Sequence, residues 1–203
     1  MSNSTRLGLV RHGQTYANIS RVWHGHTDTE LTEEGYEQAR KLGVHFHNYM
    51  QPTVIVASPL QRARITAENI AAQFELEVTL DSRLMEFSLG DWEDKSFDTL
   101  GAPGEDVMRQ LVEDPDYATP NGESQNLVKD RFVTALDEIV ARHSGETIVV
   151  VAHGVALGIA LAHLIDNDTR RWTHYSKKNT AFSEYCLATK SLLSFNQTDH
   201  LNT

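Results

Sequence analysis

Three short apolar runs in this chain each stop at a polar cluster. Residues 6–10 end at Arg11-His12-Gly13, residues 53–57 at Ser58-Pro59-Leu60-Gln61-Arg62, and residues 147–151 pass through Ala152 into His153-Gly154. Short runs rich in Val, Ile and Leu with no polar alternation read as strands buried on both faces. Helical patterns lie between them. Residues 32–50 carry Tyr36, Ala39, Leu42, Gly43, Phe46, Tyr49 and Met50 at helical spacing, with Thr32 as N-cap, Glu33 and Glu34 at the positive helix start, and Pro52 as terminator. Ser58, Pro59 and Gln61 predict a capping box, followed by a stripe of Leu60, Ala63, Ala67, Ile70, Ala71 and Phe74. Residues 77–80 predict a further strand. Residues 124–143 and 155–165 predict helices, and 180–188 with 191–195 a closing pair of strands. Strands alternating with helices predict an α/β fold, a three-layer α/β/α sandwich around a mostly parallel sheet.

The chain has 203 residues, which predicts one domain over 1–203. The segment at about 83–120 is rich in Gly, Asp and Pro and reads as an inserted lid over one end of the sheet. With 40% hydrophobic and 23% charged residues, the composition excludes a disordered chain. No apolar run approaches the roughly 20 residues of a membrane span, and residues 1–6 carry no signal-peptide pattern. The single cysteine, Cys186, reads as a buried strand residue and rules out an internal disulfide and a cysteine-based zinc site. These features predict a cytoplasmic protein. The net charge of −10 disfavours nucleic acid and anionic lipid as partners. Oligomeric state is not legible, and a homo-oligomer stays open.

If the three strands are parallel, Arg11, His12, Ser58, Arg62, His153 and Gly154 converge at their carboxyl ends, where ligands of α/β sheets bind. Two arginines, two histidines and helix N-termini suit a phosphate group. There is no Gly-x-x-x-x-Gly-Lys loop and no metal-binding set of carboxylates, so neither metal nor cofactor is expected. Histidine serves as a covalent nucleophile when neutral, with one nitrogen free and the other bonded. His12, at a strand end beside Arg11, is the candidate. Departure of an alkoxide needs an acid, and phosphate charge holds a neighbouring carboxyl protonated. Glu86 is the candidate, with Glu93 and Glu123 as rivals.

The ordered motifs resemble the histidine phosphatase superfamily, in its phosphoglycerate-mutase-like branch, over nearly the whole chain. Leu9-Val10-Arg11-His12-Gly13-Gln14-Thr15 with Asn18 resembles the nucleophile motif. His24-Gly25-His26-Thr27-Asp28, Leu31-Thr32-Glu33-Glu34-Gly35 and Gln38-Ala39 resemble the next block, and Ser58-Pro59-Leu60-Gln61-Arg62-Ala63-Arg64 with Thr66-Ala67 the second arginine motif. Glu86 with Gly90-Asp91-Trp92-Glu93, then Gly122-Glu123-Ser124, then Val151-Ala152-His153-Gly154 complete the set. The resemblance implies a phosphoglycerate mutase-like fold and a phosphohistidine at His12. It implies phosphoryl oxygens held by Arg11, Arg62 (not Arg64) and His153, proton transfer by Glu86, and no metal. Asn18, Arg21, His24 and Gly154 are expected substrate contacts.

Two departures stand out. His24 replaces a common glutamine, and Asp94 replaces a common glycine after Trp92-Glu93. Arg170 and Arg171 read as a surface pair near a helix end, or as contacts to a distal substrate anion. The first expectation is a metal-independent phosphomonoester hydrolase acting on a small phosphorylated metabolite. A cofactor-dependent phosphoglycerate mutase is the alternative. Mutases of this family carry an arginine after the acid, where this chain has Phe87, and a paired arginine where Arg109 stands alone. A non-catalytic phosphate-binding module is the third reading.

Overall fold

The computed structural model describes residues 5–20, 22–95 and 97–202, with side chains described outside 97–104. The elements in chain order are β1 (Arg6–Arg11), α1 (Tyr16–Ser20), α2 (Glu33–Tyr49), β2 (Val54–Ala57), α3 (Gln61–Ala71), β3 (Val78–Leu80), α4 (Phe97–Glu113), α5 (Gln125–Arg142), β4 (Thr147–Ala152), α6 (Gly154–Asp166), β5 (Phe182–Cys186) and β6 (Ser191–Gln197). Short 3-10 turns occupy Ser82–Leu84, Gly90–Trp92, Thr169–Tyr175 and Asp199–Asn202.

The sheet runs β3-β2-β4-β1-β5-β6. Its first four strands are parallel, with Leu9 opposite Val150 and Val56 opposite Val150 on the other side. β5 runs antiparallel to β1, and β6 antiparallel to β5. This is the expected α/β fold with a mostly parallel sheet. Strand alternation sorts the core into two layers. Leu7, Leu9, Val56, Ile148 and Val150 pack under Phe132, Ile139, Leu157 and Leu161 of α5 and α6. Val10, Ile55, Ala57, Val149 and Val151 pack under Leu42, Phe46, Ala63 and Ile70 of α2 and α3. Each such fully buried large side chain is worth roughly 1.5–3 kcal/mol of transfer free energy. The inner strands read as continuous apolar runs because both faces are covered.

The helix signals translate locally, with one correction. Thr32 Oγ1 accepts from Gly35 N at 3.0 Å and starts α2, and Ser124 Oγ accepts from Leu127 N at 3.3 Å and starts α5. The expected capping box at α3 is absent. Leu60 occupies the N-cap without a side-chain bond. The carboxylate of Asp28, from a distant loop, accepts Gln61 N instead at 2.9 Å, while Ser58 Oγ pairs with His153 Nε2 at 2.8 Å. A carboxylate gains more than a hydroxyl at a helix start. Cys186 ends β5 half-buried rather than fully buried, because the strand leaves the core there. Among the described residues, no helix is long and apolar enough to cross a membrane.

Candidate active site

β2, β4 and β1 are neighbours and parallel, so their carboxyl ends open on one edge. Arg11 is the last residue of β1 and His12 follows it. His153 follows β4, and Arg62 lies in the first turn of α3 after β2. A pocket of about 410 Å³ opens at this edge. Arg11, His12, Arg62 and Glu86 form its wall directly, and His153 lies against His12 with ring centroids 5.3 Å apart. Asn18, His24 and Gly154 also line the pocket. Arg21 lies outside the described residues. Arg170 and Arg171 stay at the surface, paired with Asp168 at 2.8 Å and Asp166 at 3.2 Å. Arg64 likewise points out, to Glu68 at 2.8 Å.

His12 is held from every side. Its N–H donates to Ala152 O at 3.0 Å, and its own carbonyl accepts from Thr180 N and Asn179 Nδ2. Its Nδ1 lies 2.7 Å from Gly13 O. A carbonyl only accepts, so Nδ1 carries the proton and Nε2 keeps a lone pair. Gly13 N donates to Thr66 Oγ1 at 2.9 Å, and Thr66 Oγ1 donates to Arg62 O at 2.7 Å, so one hydroxyl ties the histidine loop to the arginine helix. Gly13 and Gly35 let two backbones meet. A Cβ on Gly13 would lie 2.5 Å from Gly35 O, and one on Gly35 2.1 Å from Gln14 O.

Arg62 is 3% exposed and donates to Gly25 O at 2.7 Å and Thr27 O at 3.0 Å. Arg11 donates to Lys177 O and packs over Gly154, where a Cβ would lie 3.3 Å from its Nε. Burial lowers both guanidinium pKa values, and the Glu86 carboxylate opposes this. His12 sits well below the ordinary histidine range, first through burial and then through the positive charges of Arg62 and Arg11. His153 is shifted the same way by burial, Arg62 and His12. Both imidazoles are therefore neutral near pH 7.

Glu86 is 7% exposed. Its Oε1 accepts from Phe87 N and Ala156 N at 2.9 Å, and its Oε2 from Val155 N at 3.2 Å, so its carboxylate occupies the N-terminus of α6. The rivals have other tasks. Glu93 accepts from His26 N, Thr27 N, Ser88 Oγ and Leu89 N and clamps two loops together. Glu123 pairs with Arg131 at 2.7 Å. Among the described residues, no group of three His, Cys, Asp or Glu side chains is placed to hold a metal ion.

Sequence reasoning missed Lys177 and Asn179, the tying role of Thr66 within a motif it did include, and the apolar wall of Val22, Trp23, Val155 and Trp172. The polar run Lys177-Lys178-Asn179-Thr180 before β5 was a readable signal. An antiparallel strand brings its entry loop to the edge where the parallel strands exit.

The family model of the histidine phosphatase superfamily (branch 1) matches residues 7–195. The chain belongs to this family. Among its relatives, one from Citrobacter koseri, named a probable phosphoglycerate mutase GpmB, is 37% identical over 77% of this chain and 73% of its own. A mycobacterial glucosyl-3-phosphoglycerate phosphatase, solved with VO3, superposes with a TM-score of 0.84 at 30% identity, covering 94% of this chain and 98% of that one. A phosphoserine phosphatase from Entamoeba histolytica, in complex with 3-phosphoglyceric acid, superposes with a TM-score of 0.86 at 29% identity, covering 97% and 99%. The chain is thus an enzyme of the histidine phosphatase superfamily, similar both to phosphatases and to proteins named as mutases.

Proposed function

We propose that this enzyme is a metal-independent phosphomonoester hydrolase that works through a phosphohistidine at His12. His12 Nε2 attacks phosphorus with its lone pair, and the P–O bond to the substrate alcohol breaks. Glu86 delivers a proton to the departing alkoxide. Water then attacks the phosphohistidine, Glu86 takes its proton, and the P–N bond breaks to release inorganic phosphate and neutral His12. Arg11, Arg62 and His153 hold the phosphoryl oxygens throughout, and Asn18 and Gly154 shape the pocket around the ester. Fixed cations in a dry pocket stabilise the charge that spreads over those oxygens.

The observation that carries the reading is the state of His12. Its Nδ1–H is committed to Gly13 O, and burial beside two guanidinium groups keeps the ring neutral. Those features prepare Nε2 as a nucleophile. For the alcohol portion, the wall of Val22, Trp23, Val155 and Trp172 favours a small phosphorylated metabolite with an apolar face. The net charge of −10 supports a small soluble substrate over nucleic acid or a membrane surface, and one cysteine suits the cytoplasm.

The mutase reading draws on the name of the 37% identical relative. Against it stands Phe87, which is 1% exposed and packs 6.5 Å from the Trp23 ring. The position that carries an arginine in mutases is here part of the core.

The test is phosphate release from a panel of phosphomonoesters, with chelator present, for the native chain and His12→Ala. Rapid acid and alkaline quenching assays an alkali-stable, acid-labile phosphoenzyme in parallel. Turnover and phosphoenzyme that both vanish in the variant support the proposal. Turnover by His12→Ala at near-native rates would overturn it. Interconversion of phosphoglycerates in the presence of a bisphosphate primer, without phosphate release, would select the mutase.

A further inference from the structure

Glu86 stands between the 3-10 turns Ser82–Leu84 and Gly90–Trp92, in a stretch with no strand ladder or helix to fix its backbone. Something else must aim it. We propose that Arg131, on α5, is the positioning residue that aims the carboxyl group of Glu86. The proposal rests on the proton-transfer role given to Glu86 above.

One edge of the Arg131 guanidinium faces the Glu86 loop. Nη1 donates to Arg83 O and Met85 O, both at 2.7 Å, and Nη2 donates to Glu86 O at 2.8 Å. The other edge grips Glu123, with Nε to Oε1 at 2.7 Å and Nη2 to Oε2 at 2.8 Å. Glu123 Oε2 also accepts from Ser88 N at 3.0 Å, and Glu123 N donates to Ser88 O at 2.9 Å. The planar fork therefore spans both sides of Glu86, from residue 83 to residue 88. His26 Nε2, which also lies 3.7 Å from Glu123 Oε2, donates to the same Glu86 carbonyl at 2.8 Å. With that carbonyl held by two donors, the side chain leaves its backbone along a fixed line toward Val155 N and Ala156 N.

The arrangement also explains why Glu123 is not the acid. Burial alone would push its carboxyl up, but the bonds from Arg131 hold it below its usual range. It serves as the counter-anchor of the fork. Lysine could not do the same work, because its single ammonium cannot satisfy carbonyls and a carboxylate on two edges of one plane.

A residue that aims the acid has a different kinetic signature from one that only holds the fold. Misplacing a catalytic group by about 1 Å costs on the order of 100-fold in the step it serves. The cost falls on substrates whose leaving group needs a proton. The experiment compares kcat/KM for p-nitrophenyl phosphate, whose phenolate leaves unaided, with that for an alkyl phosphate. It uses the native chain, Arg131→Gln, Arg131→Lys and Glu86→Gln, each checked by circular dichroism and thermal melting. Because kcat/KM reports steps up to the phosphohistidine, it isolates proton delivery.

The expected result is a loss of about tenfold or more on the alkyl ester for Arg131→Gln, with less than about threefold on p-nitrophenyl phosphate. Arg131→Lys should fall between native and Gln. Should Arg131→Gln fail to fold, the same asymmetry is expected from Arg131→Lys. Equal losses on both esters in a folded variant, or no loss on either, overturn the proposal while a selective Glu86→Gln leaves the acid assignment standing. An unselective Glu86→Gln overturns the acid assignment and the Arg131 proposal with it.

Discussion

His24 and Asp94 face each other at the rim of the pocket, Nε2 to Oδ1 at 3.8 Å. They are the two positions at which the chain departs from the motif pattern it resembles. Asp94 sits at φ 62°, a left-handed conformation natural to glycine and tolerated by aspartate. Its Oδ2 accepts Thr27 Oγ1 at 3.1 Å, which binds the rim to the loop held by Arg62. His24 lines the pocket, whereas Asp94 is largely exposed.

A partly exposed contact of this kind contributes up to about 1 kcal/mol when the imidazole is charged, or roughly fivefold in an equilibrium. His24→Gln should therefore reorder KM across a panel of phosphomonoesters by up to about fivefold, with kcat nearly constant. Steady-state kinetics on neutral and anionic esters decides it. A uniform fall in kcat would instead place His24 in the chemistry.

Acid should unfold this protein earlier than its carboxylates alone would. His12 and His153 lie well below 6.5 when folded, and His200 lies at about 4 through burial and the nearby His45. As pH falls through 6.5, the unfolded chain takes up protons that the folded chain refuses. Stability present above 6.5 is lost below it, at up to about 1.4 kcal/mol per pH unit for each histidine. Urea midpoints between pH 7.5 and 5 measure the slope, and His200→Gln should remove one share. A flat midpoint over that range contradicts the prediction.

Lys177 is 2% exposed, and its ammonium donates to Leu9 O at 2.9 Å. Burial pulls its pKa from 10.5 to about 7. Between those values the unfolded chain keeps a proton that the folded chain has lost, so stability rises with pH across the window. Lys177→Met should flatten that rise. It should also stabilise the protein at pH 7 by on the order of 1–3 kcal/mol, because an apolar side chain avoids desolvating a cation. Denaturant curves of both proteins at pH 7 and pH 9.5 test it, and equal slopes in the two would refute it.

Gly13→Ala should lower activity by about 100-fold or more and cost about 1–3 kcal/mol of stability. The new Cβ would meet Gly35 O at 2.5 Å, and neither backbone can yield without moving His12. Thermal melts and phosphate-release assays together read both effects. A near-native rate in Gly13→Ala would show that the two loops separate freely.

Much of the fold could be read from the chain because its signals are local and mutually consistent. β1, β2 and β4 are short apolar runs with sharp ends, and α2 and α5 start at the expected Thr32 and Ser124. The meeting of Arg11, His12, Arg62 and His153 followed from parallel neighbours sharing an exit edge. What stayed hidden were the partners that hold these side chains in place. Asp28 and Thr66 stood in the motifs without their roles as cap of α3 and tie between Gly13 and Arg62, and Arg131 on three carbonyls carries no periodicity or spacing that marks it. Such partners are chosen by packing, after the elements have formed.

The antiparallel entry of β5 has a consequence for biosynthesis. The loop before β5 supplies the carbonyl of Lys177 that anchors Arg11 and the amide of Asn179 that holds His12. A nascent chain that has emerged from the ribosome only as far as α6 has made its nucleophile, both arginines and its acid, yet lacks the bonds that Lys177 and Asn179 give to Arg11 and His12. The last supports of Arg11 and His12 are therefore translated after every residue they support.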